Sequence, residues 1–201
     1  MSNLKETILN PIFKGNPITV LILGICSSLA VTVELKGALV MALSVTIVTA
    51  VSSFVCSIIR KTIPNRVRII VQLVVVALMV ILVDQVLKAY AFAVSKQLSV
   101  YIGLIITNCI VMGRIEAFAL GNKPIPSLLD GMANGLGYGL ILVIVAFFRE
   151  LFGSGTLFGV PVLSAIGYPN NGLMILPPMA LILLGCVVWV HRSINKSLQE
   201  K

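Results

Sequence analysis

Charge is what this sequence has least of. Only 11% of its 201 residues are charged, with seven acidic residues against fifteen basic ones. Soluble domains are about one quarter charged and about half apolar. A chain that is 58% hydrophobic, with a mean hydropathy of +1.07, is therefore an integral membrane protein. Histidine occurs once, at His191, beside Trp189 and Arg192 where an aromatic and basic belt closes the last apolar run. One histidine in that place leaves no Ser/His/Asp set and no histidine-based zinc site. The four cysteines, Cys26, Cys56, Cys109 and Cys186, never form a CxxC pair, so the usual zinc spacings are absent. Gly135, Gly137 and Gly139 in "DGMANGLGYG" follow no strand and precede no lysine. They are not a phosphate loop, and close helix packing explains them better. No flavin-threonine signature is present. The chain alone is not expected to be a complete enzyme, and no catalytic residue is assigned. Its net charge of +8 is read as basic membrane loops, not as a nucleic-acid surface.

What is there is apolar and helical in period. Six runs, approximately Pro17 to Val33, Ala38 to Ile59, Ile69 to Val83, Leu98 to Gly113, Leu128 to Phe148 and Leu173 to Val190, are separated by short turns. A helix of about 20 residues crosses a hydrocarbon core, and in lipid every backbone group must be satisfied within its span. The fold expected is thus all-α with six transmembrane helices. "MSNLKETILNPIFKGNP" has no apolar signal-peptide core, so the first span is expected to stay. Six spans place both termini on one side together with Lys5, Lys14, Arg60, Lys61, Arg66, Arg68, Arg114, Lys123, Arg192, Lys196 and Lys201. Lys36, Lys88, Lys96 and Arg149 fall on the other side. The positive-inside rule then makes both termini cytoplasmic. "GNKPIPS" and the stretch from Gly153 to Gly172 are the only sizeable loops, and neither is a domain.

Divided near Ser95, this single transmembrane domain gives two three-span halves, about 16–94 and 95–193. Each opens with an uncharged, unusually short run, one holding "LGICSS" and the other "ITNCIV". A shift of 83 positions superposes Cys26 on Cys109, Leu23 on Ile106, Leu29 on Met112 and Ala30 on Gly113. An odd number of spans per half makes the repeat inverted. Short, interrupted segments in matching places of inverted halves point to a site at the bilayer midplane.

Three accounts of Cys26 and Cys109 stay open on the residues alone. They pack as small hydrophobes, form a disulfide, or supply two of the four thiolates of an iron–sulfur cluster, the others coming from another chain. Gly24, Ser27, Ser28 and Asn108 favour the cluster, because broken helices free N–H groups that bond sulfur. Cys56 and Cys186 have no counterparts in the repeat and are read as packing. Arg114 is read as a snorkelling end anchor. Asp84, Asp130, Glu34, Glu116 and Glu150 stand at span ends, where acids are usually hydrated. Asp130, and after it Asp84, are the candidates for a cation pathway.

The stretches "LGICSSLAVT", "PNRVRIIVQ", "VDQVLKAY", "SKQLSVYIGLIITNCIVMGRIEAFA", "IPSLLDGMANGLGYG" and "FFRELFGSGTLFG" closely resemble the D-subunit family of the sodium-translocating NADH:quinone oxidoreductase. The resemblance runs from about Asn16 to Pro178, while the last loop and the C-terminal tail match poorly. The E-type component of the Rnf complex, a ferredoxin:NAD oxidoreductase, is a near relative. Its first motif usually reads "LCP" where this chain has "ICS", and "VDQVLKAY" also favours the quinone-reducing family. The resemblance implies a member of a six-part assembly in the bacterial inner membrane that carries electrons from NADH to quinone and exports Na+. It implies pairing with a paralogous six-helix E-type subunit, beside the A, B, C and F components. It also implies a 2Fe–2S cluster between the two paralogues at mid-membrane, with Cys26 and Cys109 as this chain's two ligands. A redox-silent scaffold or channel is the alternative from another class.

Overall fold

The computed structural model describes residues 15–64, 66–90, 101–157, 160–161 and 172–194. The division near Ser95, the first residues of the fourth run, most of the last loop, and Lys5, Lys14, Lys96, Lys196 and Lys201 lie outside them. Among the described residues the regular structure is helical apart from one two-residue antiparallel pair, Thr156–Leu157 (β1) with Val160–Pro161 (β2), in the last loop. Seven α-helices follow one another among the described residues: α1 Ile25–Val31, α2 Leu35–Ile59, α3 Arg68–Tyr90, α4 Ile102–Ile106, α5 Cys109–Arg114, α6 Pro124–Gly153 and α7 Pro177–Ile194. A π-helical turn, Ile115–Ala119, continues α5, and a 3-10 turn, Gly172–Ile175, precedes α7.

Four of these helices, α2, α3, α6 and α7, are long and apolar enough to cross a membrane. The first and fourth apolar runs are instead broken into short pieces. The fifth run is longer than its hydropathy indicated. Proline is tolerated in a first turn, where the N–H has no intrahelical partner anyway, so α6 starts at Pro124 and not near Leu128. For the same reason the sixth run divides, its helix beginning at Pro177 after the 3-10 turn.

The centre of the molecule is the antiparallel pair α2 and α6. Gly131 lies against Thr49 and Ala50, Gly135 against Thr46, and Gly139 against Ala42, the partner number falling by four as the glycine number rises by four. A Cβ built on Gly135 would stand 2.6 Å from the Thr46 Cα. The spacing that packs is therefore every fourth residue, 131, 135 and 139, and not the alternate glycines; Gly137 instead offers its carbonyl to Asn16 Nδ2 at 2.9 Å. Such small-residue seams substitute for hydrophobic driving force between helices in lipid. The buried face of α2 is rich in hydroxyls, Ser44, Thr46, Thr49, Ser52, Ser53 and Ser57, while Leu39, Leu43, Ile47 and Val51 point outward. Thr46 and Thr49 return their hydroxyls to the carbonyls four residues back, at 2.7 and 2.6 Å, which satisfies them inside the helix.

Contacts define the two ends of the bundle. At one, Ser57 and Arg60 donate to Asn122 O, and Arg68 pairs with Glu116, which also accepts from Gln72 at 2.7 Å. The loops carrying Arg60, Lys61, Arg66, Arg68, Arg114 and Lys123 thus share that end. At the other, Glu150 Oε2 accepts from the first N–H of α2, on Leu35, at 2.6 Å.

Candidate functional site

The first break is a matter of backbone. Asn16 Oδ1 accepts from the N–H groups of Ile18 and Thr19 at 3.0 and 3.5 Å, an Asx turn that competes with helix. The chain then passes through positive φ at Ile22 (57°) and Gly24 (84°) before α1 begins. A β-branched residue at positive φ is an outlier, whereas Gly24 carries the turn without a steric penalty. Gly24 is needed for space as well, because a Cβ there would lie 2.8 Å from Ile110 Cδ1 and 3.0 Å from the Tyr138 ring.

The second break depends on a side chain. α4 ends at Ile106, Asn108 is extended (φ −67°, ψ 122°), and its Oδ1 caps α5 by accepting from Ile110 N at 3.3 Å. Asparagine is among the best residues for that place. Cys109 is the first residue of α5 and Cys26 the second of α1.

The two breaks meet. Asn108 Nδ2 donates to Ser27 Oγ at 3.4 Å, Ser27 Oγ lies 2.7 Å from the Tyr138 hydroxyl, and Ser27 donates to Gly24 O at 3.0 Å. A hydroxyl has one proton and two lone pairs. With the Ser27 proton on Gly24 O, Tyr138 is the donor in its pair and the Ser27 oxygen is fully used. Ser27, Asn108 and Tyr138 are buried, yet Cys26 and Cys109, each next in sequence to one of them, are exposed and free. No disulfide joins them in this structure. Cys56 sits in the core as anticipated, whereas Cys186, read as packing, is exposed and lines an apolar groove of about 560 Å³ between α6 and α7. Among the described residues no three His, Cys, Asp or Glu side chains gather as a metal set. Two exposed thiols at neighbouring helix starts are the donor set that one half of a shared iron–sulfur cluster would use, and among the described residues no further ligand joins them.

Both short helices are held at their far ends by α6. Arg149, only 1% exposed, donates to Thr32 Oγ1 at 2.6 Å and Leu29 O at 3.3 Å at the end of α1, and to Met174 O at 3.2 Å and Ile175 O at 2.6 Å before α7. Arg114, at the end of α5, does not snorkel. It makes a two-pronged contact with Asp130, Nε to Oδ2 at 3.0 Å and Nη2 to Oδ1 at 2.5 Å, and Asn134 Nδ2 adds a third bond at 3.1 Å. The reason is dielectric: a carboxylate buried on α6 costs far less with a guanidinium against it. Of the five end-of-span acids, Asp84, Asp130 and Glu150 are buried and so not simply hydrated, whereas Glu34 and Glu116 are exposed. Asp84 pairs with Lys88 at 2.6 Å. It lies sixteen residues, about 24 Å at 1.5 Å per residue, along α3 from Arg68, whose partner Glu116 is two residues from Arg114. Asp84 and Asp130 therefore stand at opposite ends and do not form one site. Arg149 and Tyr138 were not singled out in the sequence as parts of this site. The one available signal was a charge and a phenol inside runs otherwise apolar or glycine-rich.

Residues 4–188 match the family described as Rnf-Nqr subunit, membrane protein. The chain is 56% identical over 202 residues to the D subunit of the Na(+)-translocating NADH-quinone reductase of Serratia proteamaculans (strain 568), covering 98% of this chain and 97% of that one. It is 57% identical, with the same coverage, to the protein of that name in Yersinia pestis (strain Pestoides F). The chain belongs to the Rnf-Nqr family of membrane subunits.

Proposed function

We propose, from the premise that the chain is an Rnf-Nqr membrane subunit, that it is the D-type member of a Na+-translocating NADH–quinone reductase in the bacterial inner membrane. In this reading Cys26 and Cys109 hold one side of a 2Fe–2S cluster. A paralogous six-helix E-type subunit supplies the other two thiolates, and the A, B, C and F components complete the assembly. The observation that carries the reading is the pair of exposed thiols at two helix breaks joined by the Asn108–Ser27 bond. When bound, such a cluster supplies a one-electron relay that divides a crossing of roughly 30 Å of hydrocarbon. This chain's part is to present two thiols, to exclude water behind them with buried Ser27, Asn108 and Tyr138, and to keep both short helices fixed to α6.

The inverted six-segment layout, with both termini cytoplasmic, is part of the proposal. Its support is directional. α1 ends at Arg149 and α5 at Asp130, near opposite ends of α6, so the half-helices run in opposite senses. α2 and α6 are likewise antiparallel. The positive-inside rule assigns the arginine-rich loops to the cytoplasm.

Iron, acid-labile sulfide and the EPR spectrum of the reduced complex, compared with Cys26→Ser and Cys109→Ser, test the ligand assignment. Loss of the same cluster signal in both variants is expected. An unchanged signal returns both cysteines to packing and leaves a redox-silent scaffold. We also assign Asp130 and Asp84 to the cation pathway, at its two ends, because both are buried carboxylates, each balanced by one cationic side chain. Asp130→Asn should weaken the sodium dependence of turnover. The assignment is lost if that variant keeps the wild-type dependence.

A further inference from the structure

Among the described residues Tyr138 is, after Arg149, the largest side chain with almost no exposed surface, and the cluster reading gives its hydroxyl no task beyond filling space behind the thiols. Its ring lies against Gly24 at the start of α1, where Ile110 of α5 also arrives. Its hydroxyl donates to Ser27, the residue after Cys26, and the same Ser27 oxygen accepts from Asn108, the residue before Cys109. Helices of seven and six residues are too short to hold their own geometry and take it from tertiary contacts. Tyr138 projects from α6, the most buried of the four membrane-length helices, so it offers both of them one rigid reference.

We propose that Tyr138 is a positioning residue for the two thiols: through Ser27 it locks the starts of α1 and α5 together, so that Cys26 and Cys109 move as one unit. The proposal rests on the cluster reading for its consequence in the assembled complex, but not for the lock itself. Metal ligands need this kind of outer support, since small displacements of a first ligand are felt at the metal.

Tyr138→Phe removes only the hydroxyl, and Ser27→Ala removes its acceptor by a second route. Amide hydrogen exchange of the purified complex, read separately over residues 25–31 and 109–114, should rise about fivefold in both segments and in both variants, the size expected for one buried hydrogen bond. At unchanged iron content, the EPR signal of the reduced cluster should broaden. Faster exchange in 25–31 alone would overturn the lock, and so would unchanged exchange in both. Faster exchange in both with an unaltered EPR line would overturn the claim that the lock positions the thiols. Failure of the ligand reading shows itself elsewhere, as a cluster signal that survives Cys26→Ser, while the exchange data still decide for or against the lock.

Discussion

The first broken segment turns through left-handed backbone at Ile22 and Gly24, whereas the second turns at an extended Asn108 whose side chain caps the helix that follows. At their far ends the means differ again. α1 is held by an arginine reaching out from α6 to neutral carbonyls, and α5 by an arginine reaching in to a carboxylate on α6. Yet each puts an exposed cysteine within the first two residues of a short helix. A shared arrangement is thus reached through unlike local chemistry, and under the proposed cluster reading it is the placement of the thiols that the two segments have in common. The two turns are different solutions to a helix that must stop, each fitted to its own surroundings.

The sharpest way to break this likeness is to remove one anchor. Arg149→Leu leaves the part-buried carbonyls of Leu29, Met174 and Ile175 without this donor and removes its bond to the buried Thr32 hydroxyl. An unmet acceptor costs about 1–3 kcal/mol when fully buried and less when water reaches it, so a loss of about 2 kcal/mol is expected in the stability of the purified complex. Exchange should quicken over 29–32 and 172–175 while 109–114 keeps its protection, because α5 has its own anchor at Asp130. Equal loosening of both segments would mean that they share one anchor, and the comparison would fail.

Much of this was readable in the chain, and the unread part has a common cause. The breaks announced themselves because Gly24, Ser27 and Asn108 interrupt runs that lipid would otherwise keep uniformly apolar. The cysteine match at a shift of 83 followed from them. Helix ends were read less well: hydropathy falls at Pro124 and Pro126, but proline starts a helix as readily as it ends one. Arg114 looked like an end anchor because snorkelling needs no partner, and nothing local reveals that Asp130, sixteen residues on, lies alongside. Arg149 in "FFRELFG" looked like the edge of the membrane. What places it inside is the return of the chain at 172–175, a contact between distant segments that no local pattern encodes. Tyr138 was hidden by its glycine neighbours, whose packing role was recognised while their spacing was misassigned.

A gentler test separates the two turns themselves. Asn108→Ala deletes a side-chain cap, a change worth about 1 kcal/mol, and with it the weaker of the two bonds that Ser27 accepts. α5 should then open about fivefold more often, read as faster exchange over 109–114. α1 should hold, because Gly24 makes its turn without any side chain and Ser27 keeps its 2.7 Å contact with Tyr138. The asymmetry is the informative quantity. If 25–31 loosens as much as 109–114, the Asn108–Ser27 bond carries the junction and Tyr138 is secondary. If only 109–114 responds, the second half-helix depends on its cap and the first on its backbone, and α6 is the element that keeps the two cysteines in register.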